Sequence, residues 1–245
     1  MDGVLRCSRY AFGPNRLHFC GPDANREIWD YVNAGYTDFG LQKLLKGFEA
    51  LYPYLQHIAV ENHLTDPLDP RVVEAYWLGN ELLAHIEQRA LHRHLTDTFR
   101  MQEKFPGAPY RLLESRIGHG LLPNHNHHVL NVPHAMGFQK GEPDIPFMDS
   151  CRVSWGTVTH VSGPHITLQY EPLLRIGDLL ALGAPIEKKI IRRLEADYDI
   201  EMLAPGHIVT MHWDIPCEVI TEVEADKLRR YTSDAIRIAN IDRLT

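Results

Sequence analysis

Hydrophobic positions in the first hundred residues recur at spacings of three and four, the period of helices buried on one face. Asn25–Ala34 reads as a helix that Gly35 ends as a C-terminal cap. Thr37 or Asp38 starts a longer one, in which Leu41, Leu44, Leu45, Phe48, Leu51 and Leu55 keep one face, with Pro53 set to kink or end it. Asp69-Pro70 pairs an N-cap side chain with a proline at the first helical position. It opens a helix carrying Val72, Val73, Tyr76, Trp77 and Leu83. Another helix is predicted from about Leu91 to Lys104.

Residues 105–148 are rich in Pro, Gly and His and read as irregular, with one candidate strand at His127–Val132. From Asp149 the pattern shortens to period two. Cys151–Val161 and His165–Tyr170 flank the turn Ser162-Gly163-Pro164 and predict a hairpin. Glu187–Asp197 reads as a charged helix with Ile190, Ile191 and Leu194 as its stripe, and His207–Trp213 as a further strand. A capping box, Thr221 to Glu224, opens a last helix with Ala225, Leu228, Tyr231 and Ala235 on one face. The fold class expected is α+β: a helical part over 1–145, then a small β-barrel-like part with helical additions over 146–245.

Composition narrows the chemistry. With 245 residues, 44% hydrophobic and 23% charged, the chain has ordinary globular usage. Its net charge of −7 makes it a poor nucleic-acid binder, since that binding rests on Lys and Arg neutralising phosphates. No apolar run approaches a membrane span, and Met1–Arg6 has no apolar signal region, so a cytoplasmic protein without a membrane partner is expected. The four cysteines, Cys7, Cys20, Cys151 and Cys217, form no Cys-x-x-Cys and are expected as thiols.

Histidine is the unusual entrant. There are 15, and His119, His125, His127, His128 and His134 fall within sixteen residues. Histidine is the commonest metal ligand and the near-neutral proton carrier. As a strand, His125 and His127 would share a side and His128 the other. Two such imidazoles with a carboxylate, Glu114 or Glu74, would make a facial triad for Fe(II). The alternative is a polar turn marked by Asn124 and Asn126, whose histidines cap helices or meet water. Cys20 is either a further thiolate ligand or a small buried residue. On a helix Glu74, Trp77 and Glu81 share a face, as do Glu81 and His85. No phosphate-binding glycine loop and no nucleophile elbow is present.

Three segments carry a resemblance. Cys151, Gly156, Val158 and Val161 space as in the opening of the HypC/HybG family of [NiFe]-hydrogenase maturation chaperones. Pro205-Gly206 leading to His212 resembles that family's second signature, and Cys217–Leu228 its closing segment. The likeness covers residues 149–240. It implies an OB-like β-barrel, iron as cargo, and Cys151 with His212 as the pair that handles it. It also implies partners: a HypD-like scaffold and the hydrogenase large-subunit precursor. The family's cysteine follows the initiator methionine, whereas Cys151 lies behind 150 residues. In the N-terminal half, Cys20–Asp23, Asp66–Pro70 and Val73–Asn80 resemble an uncharacterised bacterial family found with hydrogenase genes.

Two functions follow as expectations. One is an accessory factor that carries or supplies iron, or its diatomic ligand, for the Fe(CN)2CO group. The other is a non-haem iron enzyme with a His/carboxylate site in the helical part, acting on a small one-carbon substrate. The first reading requires Cys151 and His212 to lie within about 10 Å, because metal–ligand bonds are roughly 2.0–2.3 Å.

Overall fold

A computed structural model describes residues 1–132, 144–192 and 202–241. The helical part begins with α1 (Gly3–Asn15), α2 (Asn25–Ala34), α3 (Phe39–Lys46), α4 (Leu51–Glu61) and α5 (Pro70–Trp77). A 3₁₀ turn at Glu81–His85 follows, then α6 (Gln88–Arg93), a π-helical turn at His94–Thr98, α7 (Met101–Lys104), α8 (Ala108–Gly118), α9 (His125–Asn131) and α10 (Ile145–Cys151). Strands β1 (Ser154–Ser162), β2 (His165–Tyr170), β3 (Leu173–Ile176), β4 (Leu179–Leu182), β5 (Ile186–Ile191), β6 (Ile208–His212) and β7 (Ile215–Ile220) lead to α11 (Glu222–Asn240).

The start and stop signals act as read. Asp38 Oδ1 accepts from the Leu41 amide at 3.0 Å, Asp69 Oδ1 from the Arg71 amide at 2.9 Å, and Gly35 takes the left-handed cap. Both bonds of the Thr221/Glu224 box are present.

Several predicted spans are corrected. The long Leu41–Leu55 helix is two helices that break at Gly47-Phe48. Pro53 is tolerated in the first turn of α4, where its missing N–H has no helical acceptor to lose. The helix from Asp69 stops at Trp77 because Gly79 turns left-handed (φ +89), and Leu83 falls in the 3₁₀ turn. Glu74 and Glu81 therefore share no helix face. Leu91–Lys104 is α6 and α7 split by the π-helical turn.

Residues 105–148 hold α8, α9 and the start of α10, so the strand expected at His127–Val132 is helical. Cys151 ends α10 instead of opening a strand. Of the expected helix Glu187–Asp197, residues 187–191 belong to β5, where Ile190 faces the core and Ile191 faces out. Residues 193–197 lie outside the described residues.

The five-stranded antiparallel sheet runs β5-β2-β1-β6-β7, and β3 pairs with β4 separately. Among the described residues no ladder joins β5 to β7, so the sheet is open and no closed barrel forms. Packing crosses the 145/146 position. Helix α1 is buried along its whole length and lies against α2, α3, α5, β6 and β7. One apolar cluster takes in Tyr10 and Phe12 of α1, Leu55 of α4, Trp155 of β1, Cys217 of β7 and Leu228 of α11.

Candidate metal centre

Three element ends meet beneath α1: the first residue of α9, the last of α10 and the last of β6. They bring His125, Cys151 and His212 together, with ligand atoms all within 4.8 Å of one another. Two donors of one tetrahedral ion sit about 3.6 Å apart for bonds of roughly 2.0–2.3 Å. The cluster is thus at most about 1 Å wider than a closed site.

Buried polar ties fix each end. Asn124 caps α9 and donates to the carbonyls of Ala75 and Tyr76 at 3.1 and 2.9 Å. Asn126 donates to Val153 O (2.9 Å) and Thr232 Oγ1 (2.8 Å) and accepts from the Val153 amide (2.8 Å). Arg152, 1% exposed, anchors the end of α10 through Asp149 at 2.8 Å and Glu171 O at 2.6 Å. The Trp213 amide donates to Ser150 O at 2.9 Å, tying β6 to α10. Gly13 lets α1 close on this strand end, since a Cβ there would lie 2.4 Å from His212 O.

The hydrogen bonds decide which atoms can coordinate. His212 Nδ1 lies 2.7 Å from the Tyr10 carbonyl, which can only accept, so Nδ1 carries the proton. Its Nε2 is buried without a hydrogen-bond partner and keeps a lone pair. His125 Nε2 donates to Cys151 O at 2.8 Å, which leaves Nδ1 to accept from the Tyr76 hydroxyl at 3.2 Å. Burial lowers the His212 pKa to about 4, against the pull of the Tyr10 and Cys151 carbonyls. Burial, with His212 nearby, holds His125 well below its ordinary value. Both rings are therefore neutral at pH 7, the form that binds metal. Burial, then Cys20, pushes the Cys151 thiol up to about 12, while the Trp213 indole opposes this. A cation must displace that proton to bind the sulfur.

The other expected residues divide. Cys20 and His128 line the same cavity as the cluster without joining it. His128 Nδ1 pairs with the Tyr54 hydroxyl at 3.0 Å, and burial pushes the Cys20 thiol up to about 11. Because residues 125–131 are helical, His125 and His128 share a face and His127 points away. It accepts from the Leu122 amide at 3.3 Å, with Asp234 at 3.9 Å. The Glu74 carboxylate is held by Arg6 (3.3 Å) and Lys227 (3.2 Å), and Glu114 lies 3.6 Å from His92. Among the described residues no carboxylate joins the cluster, so the expected facial triad is not assembled. His134 lies outside the described residues.

Sequence reasoning missed Tyr10, Tyr76 and Trp213 as parts of the site. Tyr76 was legible as a buried helix position, but only the fold shows its hydroxyl meeting His125. Trp213 and Asp214 form the two-residue β6–β7 turn, both at positive φ (+54 and +59), a conformation rare for an aromatic residue. Tyr10 acts through its carbonyl, which no side-chain pattern reveals.

These features define an α+β protein with a buried thiol–imidazole cluster opening on a mostly apolar cavity. The chain belongs to the family of unknown function DUF6390, whose match covers residues 1–244. No curated protein and no solved structure matches it. No helix among the described residues is long and apolar enough to cross a membrane.

Proposed function

We propose that the chain binds a transition-metal ion through Cys151, His212 and His125, and that its cargo is iron. The observation that carries this is the meeting of a thiol and two imidazoles from three separate elements, with one bare, buried lone pair on His212. One sulfur and two nitrogens suit Fe(II), Zn(II) or Cu(I) and do not suit Mg(II) or Ca(II). Three protein ligands leave a position open, and a metal bound there would supply Lewis acidity or a point of attachment for a further ligand. The chain's own part is plain. Tyr10 O fixes the His212 tautomer, Cys151 O orients His125, and aromatic rings line the cavity beside them.

The accessory reading extends this. The Cys151–His212 pairing is the one the HypC/HybG resemblance implies, so iron carriage for [NiFe]-hydrogenase assembly is proposed with it. The partners would be a HypD-like scaffold or the large-subunit precursor. Affinity capture of the full chain from an anaerobic lysate of its own source tests this. Recovery of either partner by wild type and its loss in Cys151→Ser is the result expected. Recovery of neither overturns the accessory reading and leaves the metal site to its own test.

A further inference from the structure

The cavity beside the cluster has a volume of about 140 Å³. That is close to the roughly 150 Å³ of an apolar cavity that admits benzene or xenon. Its sixteen described lining residues include no Asp, Glu, Lys or Arg. The polar side chains are Cys20, Cys151, Tyr76, His125, His128 and His212, with the indoles of Trp77 and Trp213. The rest is hydrocarbon, Pro14, Phe48, Leu51 and Val129 among it. A charged guest would give up its hydration here and meet no counter-charge, which disfavours it. A neutral guest loses little and gains apolar contact.

The outer wall is aromatic. Phe19 is 56% exposed, and its ring lies 4.5 Å from that of Trp213 and 5.6 Å from that of Phe147. All three line the cavity, so Phe19 marks where the cavity meets solvent. Trp213 connects this mouth to the inner end, because it lines the cavity directly after His212 in the chain.

We propose that the cavity is a binding site for one small, neutral, largely apolar molecule that enters past Phe19, Phe147 and Trp213 and ends against Cys151 and His212. The inference rests on the proposed metal site only for what the guest meets at its inner end. The cavity itself exists without metal, so its test uses the metal-free protein.

The full chain, reduced and stripped of metal, is titrated with xenon and followed by ¹²⁹Xe NMR. Benzene serves as a neutral competitor, and formate and methylammonium as charged ones. Saturable xenon binding that benzene displaces and neither ion displaces is the result expected. Ala50 is a small, half-buried residue of the lining, so a larger side chain there takes up cavity volume. Ala50→Phe should weaken xenon binding by about tenfold or more, and Ala50→Leu by less. If Ala50→Phe loses its fold, the Ala50→Leu shift carries the comparison. The proposal is overturned by absence of saturable binding, by displacement with formate equal to that with benzene, or by xenon affinity unchanged in the folded Ala50 variants. Metal content is not read in this experiment, so a failed metal site and a failed guest site give separate results.

Discussion

His212 meets the cluster in one tautomer because the Tyr10 carbonyl leaves it no other, and its Nε2 lone pair is the donor most ready for a metal. His125 is less ready, since the Tyr76 hydroxyl must yield first. Tyr76→Phe removes that competitor and is expected to tighten metal binding severalfold, read by competition with a chromophoric chelator. Weaker binding would instead make the hydroxyl an orienting partner. A second buried pair adds to the acid sensitivity that His125 and His212 already bring. His57 and His94 stack at 4.4 Å, and each has a buried Nε2 without a partner. Burial, with His57 adding to it, lowers the His94 pKa to about 3, and burial also lowers that of His57. The folded state thus disfavours their protons. Their contribution to stability is full above the unfolded pKa near 6.5 and is lost as pH falls from there toward 3. Denaturant titrations at pH 7 and pH 5 should show stability falling, by at most about 1.4 kcal/mol per pH unit per histidine. His94→Phe should flatten that slope; an unchanged slope would assign the loss to other groups. At this scale the density of histidines exposed His125, and the HypC/HybG resemblance pointed to Cys151 and His212. The sequence could not show that His127 faces the wrong way, because that follows from helix against strand.

Elements explain most of the misread spans. The stretch Asn124–His128 looks like a polar turn, but its asparagines are 0% exposed and serve as ties between chain segments. Asn126 alone satisfies both backbone groups of Val153 and reaches Thr232 of α11. Asn126→Ala should therefore cost about 2–4 kcal/mol, since two buried backbone groups lose their partner. A cost below about 1 kcal/mol in calorimetry would show that the ties are dispensable. Helix α1 escaped notice for a related reason. Arg6, Ser8 and Arg9 break any apolar stripe, yet all are buried, with Ser8 bonded to Leu5 O and Arg6 ion-paired. Caps and the β1–β2 hairpin were legible because they rest on local chemistry. Strand β5 was not, because Lys188 and Lys189 give it a helix-like charge pattern that the β2 ladder overrides. Close approach gives an element-scale test of the site. Gly13→Ala should push β6 outward at His212 and reduce bound metal while α-helical circular dichroism is retained. Full metal content in that variant would mean that the strand end tolerates the shift.

Over the whole molecule, a buried cation joins helical and sheet parts in addition to the shared core. Arg6 of α1 reaches Glu218 of β7 at 2.8 Å, Glu74 of α5 at 3.3 Å and Glu224 of α11 at 3.2 Å. Burial opposes its charge, but Glu218 and Glu74 hold the guanidinium pKa above its ordinary value. The Tyr10 hydroxyl donates to the same Glu218 oxygen at 2.6 Å, so this network supports the backbone that fixes His212. Arg6→Met would strand the Glu218 carboxylate and should destabilise the protein by about 3–5 kcal/mol. The shared core predicts one cooperative unfolding transition, and two resolved transitions would contradict it. The central claim is the metal site itself, and elemental analysis of anaerobically purified protein tests it most directly. Wild type and His127→Ala should carry close to one metal ion per chain, whereas Cys151→Ser and His212→Ala, folded by circular dichroism, should carry little. Equal metal content in all four proteins, or none in any of them after reconstitution with Fe(II), would contradict it.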